Sequence, residues 1–167
     1  MITKIKNNKG FTVVELVILL VVIFVMAGLI VRTYASIQER SRNTTRQTDL
    51  KTLQQQIESF YSNNGYFPNL NDLNSPAWRT KYLPNLSSAV LVDPLSKCSP
   101  ATSPCLGGQD QPVFKQYQYY ATQSDGITSC NGPVGSKRDQ TCAEYKLIAK
   151  YEGSFNGSKE DVLENLN

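Results

Sequence analysis

One acidic residue, Glu15, lies inside the apolar stretch near the start of the chain and is the first candidate for chemistry. The sequence over residues 6–20 reads KNNKGFTVVELVILL. A carboxylate in such a stretch is unfavourable unless a cation meets it, and residues 16–31 contain no Lys or Arg. Cleavage between Gly10 and Phe11 would supply that cation, because it would leave a free amine on Phe11. The alternative is that Glu15 lies at a membrane interface and extends its carboxylate into water.

The excess of positive charge lies before the apolar stretch. The chain has 17 Lys and Arg against 14 Asp and Glu, a net charge of +3. Lys4, Lys6 and Lys9 precede Phe11, so the remainder has 17 − 3 = 14 basic residues against 14 acidic ones. Positive charge ahead of a membrane segment keeps that end in the cytoplasm. A neutral remainder argues against general nucleic-acid binding, which needs a surplus of Lys and Arg.

Residues that could carry catalysis are scarce. The chain has no histidine, the commonest general base and metal ligand, so we predict neither an enzyme nor a cofactor. Its four cysteines have no CxxC spacing for zinc. The basic leader and apolar stretch begin like a secretory signal, and an even number of cysteines behind such a signal predicts disulfides. Of three possible pairings we favour Cys98 with Cys105 and Cys130 with Cys142, each closing a short loop. Four buried thiols are the alternative.

Two other groups of residues have both a ligand-binding and a simpler interpretation. Tyr117, Tyr119 and Tyr120 could stack on nucleic-acid bases, although alternating aromatic residues in a strand more often pack in a core. Three loop aspartates could bind calcium, but their spacing forms no recognisable calcium loop, and we predict no metal site. They are Asp110, Asp125 and Asp139.

A long helix is predicted to position these residues. Residues 11–31 are long and apolar enough to span a bilayer, and residues 32–62 continue without Pro or Gly. Gly65 and Pro68 are expected to end the helix. Apolar residues at helical spacing predict a stripe that packs on a globular head, opposite a polar face. The stripe consists of Leu50, Leu53, Ile57, Phe60 and Tyr61, and the polar face includes Arg46, Lys51, Gln54, Gln55 and Glu58.

The head, residues 63–153, is predicted to carry a small antiparallel sheet, so the fold class is α+β. Alternation of apolar and polar residues supports this, with Tyr145, Leu147, Ala149 and Tyr151 on one face. Residues 154–167 are predicted to form a flexible polar tail. The predicted elements are strands at 87–94, 113–122 and 143–153, and short helical segments at 69–75 and 159–166.

The segment KGFTVVEL over residues 9–16 resembles the signature of type IV prepilins and pseudopilins. In that family a short basic leader ends in Gly, and the mature chain begins with Phe and has Glu as its fifth residue. Gly10, Phe11 and Glu15 match that pattern. The resemblance is strong over residues 4–37 and moderate as far as residue 153. Many members also have a proline in the apolar segment, whereas here Gly28 is the only candidate for a weak point.

The resemblance implies processing and assembly. A prepilin peptidase would cut after Gly10, remove the leader of residues 1–10 and N-methylate Phe11. Residues 11–31 would anchor the chain in the cytoplasmic membrane with the head outside, and later pack in the core of an extracellular filament. There Glu15 would pair with the Phe11 amine of a neighbouring subunit. The implied partners are other copies of the chain, other pilins, the peptidase, an inner-membrane assembly platform and membrane lipid.

The expected function is therefore that of a structural subunit of a type IV pilus. A pseudopilin of a type II secretion system, or a competence pilus subunit, is the alternative within the same class. A monomeric single-pass protein whose head binds a partner is the alternative from another class. A secreted enzyme is the least favoured.

Overall fold

The structure, a computed structural model, describes residues 10–130 and 142–166, apart from the side chains of residues 31–33. The chain divides into two compact units, Met1–Glu39 and Arg40–Asn167. A long helix precedes a three-stranded antiparallel sheet of order β1-β2-β3, which confirms the predicted α+β layout. The elements are α1 (Val13–Asn64), α2 (Leu70–Asn74), α3 (Pro76–Tyr82), a 3-10 helix (Ser88–Leu91), β1 (Gln118–Thr122), β2 (Glu144–Phe155) and β3 (Ser158–Glu164).

Helix α1 has almost the predicted bounds, and its end follows from one glycine. Gly65 has φ +78°, a left-handed conformation that glycine adopts without steric cost. Its N–H donates to the carbonyl of Tyr61 at 2.7 Å, which closes the last turn. Within the second unit, the predicted stripe faces the core: Leu50, Leu53 and Ile57 are fully inaccessible to solvent, and Tyr61 is partly buried. Burying each such side chain stabilises the fold by roughly 1.5–3 kcal/mol.

Strand β2 is the centre of the sheet. Leu147 lies opposite Tyr119 of β1 on one side and Leu163 of β3 on the other. The predicted alternation along β2 is confirmed, because Tyr145, Leu147, Ala149 and Tyr151 are all buried. The ring of Tyr145 packs edge-on against Phe67, with centroids 4.7 Å apart.

The prediction of a flexible tail with a terminal helix is wrong. Strand β2 runs on to Phe155, and the chain returns as β3 through a two-residue turn at Asn156 and Gly157. Both turn residues have positive φ, 52° and 84°, which is the conformation that hairpin turns favour and that Asn-Gly adopts readily. Leu163 then packs against the core.

Three smaller predictions in the head also need correction. Residues 87–94 do not form a strand, because the Ser87 hydroxyl caps a 3-10 helix by accepting from the N–H of Ala89. The strand predicted at 113–122 begins only at Gln118, since a tight turn with Lys115 at φ 65° precedes it. Helix α3 was not predicted, although Ser75 caps it and proline opens it. The helical turn predicted at 69–75 is confirmed as α2.

Candidate functional site

The start of helix α1 is organised by Thr12 and Glu15. The N–H and the hydroxyl of Thr12 both donate to Oε2 of Glu15 at 2.9 Å, and the N–H of Glu15 donates to the Thr12 hydroxyl at 3.2 Å. This reciprocal arrangement is a capping box, which satisfies donors that a helix start otherwise leaves unpaired. The Thr-x-x-Glu spacing was readable in the sequence, but the sequence analysis overlooked Thr12. Glu15 therefore has a local role within its own chain, and its Oε1 atom takes no part in it.

The segment around Glu15 presents a continuous apolar surface. Gly10 and Phe11 lie just ahead of the helix, and Phe11 is 81% exposed. All residues from 10 to 30 are exposed, and most of those from 13 onward are large and apolar. Soluble monomers rarely expose so large an apolar patch, so this surface needs lipid or other protein to cover it. By length and composition, α1 is the one helix in the described residues that could cross a membrane.

The cysteines divide into a confirmed pair and a pair that stays predicted. Cys98 and Cys105 form a disulfide with their Cα atoms 5.7 Å apart, as predicted. Cys130 and Cys142 are both buried in the hydrophobic core. The bond between Cys130 and Cys142 stays a prediction.

The tyrosines proposed as a possible stacking platform are core residues in two of three cases. Tyr117 and Tyr119 are fully buried, and their hydroxyls donate to Asp49 and to the carbonyl of Pro68. Burial raises the pKa of the Tyr117 hydroxyl far above its ordinary value. Neither ring can therefore stack on an external base. Tyr120 lies half-buried on the other face of β1.

The aspartates considered for calcium do not meet in the described residues. Asp110 lies 3.7 Å from the Lys146 ammonium, whereas Asp125 accepts hydrogen bonds within its own turn. Asp139 lies outside the described residues. No group of three potential metal-ligating residues occurs within residues 10–130 and 142–166.

Arg46 is the important residue that the sequence analysis misplaced. It was assigned to the polar face of α1, but its side chain is fully buried. The assignment was wrong because residue 46 precedes Leu50 and Leu53 by four and seven positions, which places it on the apolar face. Its Nε donates to Asp93 at 2.6 Å, and one Nη donates to Glu152 at 2.9 Å. Arg46 thus ties α1 to the segment after the 3-10 helix and to β2.

The carboxylate of Glu152 gives the head a pH dependence. Hydrogen bonds from Arg42 and then Arg46 hold the pKa of Glu152 below its ordinary value of 4.5. The ionised form therefore stabilises the fold above pH about 4.5, and this contribution is lost as pH falls through the lower folded-state pKa. Burial raises the pKa of Asp49. Ionisation of Asp49 therefore lowers the free energy of unfolding, whereas ionisation of Glu152 raises it.

We expect Glu152→Gln to flatten the fall in the free energy of unfolding as the pH is lowered below about 4.5. Denaturant unfolding of the detergent-solubilised chain at several pH values measures this. Glu144→Gln, at an exposed position on the same strand, is the matched control and should leave the slope unchanged. If the free energy of unfolding of the Glu152 variant falls as steeply with decreasing pH as that of the unmodified chain, the pH dependence does not come from Glu152.

Comparison of the chain with known protein families, with curated proteins and with solved structures gives no match. The resemblance to prepilins therefore depends on the residues of the N-terminal segment and on the order of elements behind it.

Proposed function

We propose that the chain is a structural subunit of a type IV pilus filament, made as a precursor with residues 1–10 as its leader. The observation that carries the proposal is the exposed apolar surface of α1, which begins within the segment GFTVVE of residues 10–15. Such a surface is covered by lipid while the subunit waits in the membrane. It is covered by the same surface of other subunits once they assemble.

Assembly through this helix requires a cation to neutralise the Glu15 carboxylate. After cleavage, the Phe11 amine of a neighbouring subunit supplies a cation at the depth of that carboxylate. The capping contacts of Thr12 use only Oε2, which leaves Oε1 to accept from the neighbouring ammonium. Pairing fixes the axial register, because a subunit that is displaced along the filament leaves both charges unpaired in an apolar setting. The contact joins different patches of the two subunits, so it repeats into an open helix.

The topology follows from the charges and the disulfide. Lys4, Lys6 and Lys9 keep the leader in the cytoplasm, where the peptidase acts. The head is then outside, in an oxidising compartment where the bond between Cys98 and Cys105 persists.

Mass spectrometry of material sheared from cells tests the proposal. We expect an abundant peptide that begins at N-methylated Phe11. The same peptide confined to membranes would instead favour a pseudopilin or a minor subunit. An N-terminus that retains the leader, or one that lies beyond residue 31, would overturn the filament function.

Replacing Gly10 by leucine should block this processing. We expect the precursor to keep all ten leader residues and the sheared fraction to lose the protein, because a bulky side chain at the cleaved bond excludes it from the peptidase. Gly28→Leu is the matched control for processing alone, since a side chain at Gly28 meets nothing within 4 Å in the described chain and lies far from the proposed cut. Normal maturation of the Gly10 variant, followed by intact-mass measurement, would rule out the proposed cleavage site.

A further inference from the structure

A tight turn in the head holds one isoleucine out in solvent. Ile127 is 81% exposed, although it is large and apolar. The Asp125 carboxylate braces the turn by accepting from the N–H groups of Ile127 and Thr128 at 3.0 and 2.8 Å. Gly126 allows the turn with φ +66°, and its N–H donates to the carbonyl of Gln123. Because the turn is already ordered, docking Ile127 against a partner loses little conformational entropy.

A groove of complementary character lies between α3 and the loop closed by the Cys98–Cys105 disulfide. It encloses about 320 Å³, and its walls are mainly apolar. That volume falls at the lower end of the roughly 300–1,000 Å³ typical of ligand pockets. The residues that line it include Arg79, Leu83, Pro84, Leu86, Pro100 and Ala101.

Arg79 lines the groove and gives it positive charge. Its guanidinium donates to the carbonyl oxygens of Leu73 and Pro100, so it connects the end of α2 to the disulfide loop. It is only 6% exposed, and the ion pairs of the described residues give it no carboxylate partner. Burial accordingly lowers its pKa. The first turn of α3 has no acidic residue. Lys81 does not line the groove, because its ammonium lies over the Tyr82 ring, 4.7 Å from the ring centroid.

The charge around Ile127 has the opposite sign. Hydrogen bonds from Thr128 lower the pKa of Asp125, so this carboxylate is ionised at neutral pH. The Glu144 carboxylate lies beside Gly126, 3.4 Å from where a Cβ would stand. An apolar side chain on an acidic turn thus matches a mainly apolar groove whose lining includes one basic residue, Arg79.

We propose that Ile127 of one subunit docks into the groove between α3 and the disulfide loop of the next subunit, with its acidic turn facing Arg79. The proposal rests on the proposed function and identifies a contact between heads in the filament. The occupant is a second copy because each chain carries both halves of the contact. The two halves are different patches, so the contact repeats without closing.

Cysteine cross-linking in the full-length protein tests this contact. We expect filaments with Ile127→Cys and Ala101→Cys in the same chain to give a ladder of covalent multimers after mild oxidation, while the detergent-dispersed monomer gives none. Pairing Ala101→Cys with Phe114→Cys, at another exposed apolar position, is the control and should give no ladder. Intact filaments without a ladder would overturn the contact but not the filament function. Failure of the unmodified chain to form filaments would overturn the filament function and the contact with it.

A second variant keeps the proposal falsifiable if the cysteines disturb assembly. Ile127→Asp places a charge in the groove, and we expect about a fivefold or greater fall in sheared filament because a charge in an apolar site is strongly disfavoured. Phe114→Asp should leave the yield unchanged. Equal yields from the two variants would overturn the contact.

Discussion

Replacing Glu15 by glutamine is expected to reduce filament yield by about tenfold or more while membrane insertion stays normal, because a buried ammonium that loses its partner is strongly destabilised. Glutamine has nearly the same shape and can still accept from the Thr12 N–H in the capping box. The substitution therefore removes the charge of Glu15 and keeps its local role.

A second variant, Thr12→Ala, distinguishes the capping of α1 by Glu15 from its charge pairing between subunits. Thr12→Ala removes the hydroxyl that bonds to Glu15 but leaves the charge in place. We expect it to retain most of the filament. Quantitative blots of sheared and membrane fractions measure both variants, and Glu39→Gln on the same helix is the control for a lost acidic group. Abundant filament from Glu15→Gln, or an equal loss from Thr12→Ala, would mean that Glu15 only caps the helix.

Arg46→Met is expected to lower the free energy of unfolding of the head by about 3–5 kcal/mol, the cost of leaving a buried charge without its partner. Asp93 is 3% exposed, and the Arg46 guanidinium holds it with two hydrogen bonds. Methionine fills much of the same volume, so the loss reports the charge and not a cavity. Lysine is not a conservative replacement, because it cannot bond to Asp93 through two nitrogens of a planar fork.

Trp78 provides the signal for this measurement. It is the single tryptophan of the chain, and its ring centroid lies 5.0 Å from that of Phe60 in the core. Denaturant unfolding of the solubilised protein can be followed by its fluorescence. Lys51→Met, at an exposed position on the same helix, should change the free energy of unfolding by less than about 0.5 kcal/mol. If Arg46→Met lowers the free energy of unfolding no more than this control does, the ion pairs of Arg46 do not stabilise the head.

A multiple variant tests whether the destabilisation of Arg46→Met comes from the unpaired charges that it leaves behind. Replacing Arg42 and Arg46 by methionine together with Asp93 and Glu152 by leucine removes the charges of the cluster as a set. We expect much of the lost stability to return, since apolar residues of similar volume often replace a buried ion pair without net loss.

The sequence by itself determined the features that depend on neighbours along the chain. The charge-free run after Glu15 predicts an apolar helix, because a helix satisfies its own backbone and needs no distant partner. The spacing of Leu50, Leu53 and Ile57 also predicts the buried stripe, because residues three and four positions apart lie on one face of a helix. The seven-residue separation of Cys98 and Cys105 favoured their disulfide.

The hairpin of β2 and β3 could also have been predicted locally. Asn156 and Gly157 form the dipeptide that two-residue hairpin turns favour, and apolar residues follow at Val162 and Leu163. The polar composition of the segment obscured that pattern. Edge strands are often charged, because charge discourages pairing with other chains.

Only the tertiary structure decided the properties that depend on residues distant in sequence. Arg46 is buried because its partners, Asp93 and Glu152, lie 47 and 106 residues further along the chain and neutralise it. Periodicity can assign a residue to a helix face, but it cannot identify which charge will meet it there. The groove beside Arg79 likewise exists only because α3 and the disulfide loop come together. Ile127 remains in solvent because the hydrogen bonds of its turn direct it away from the core.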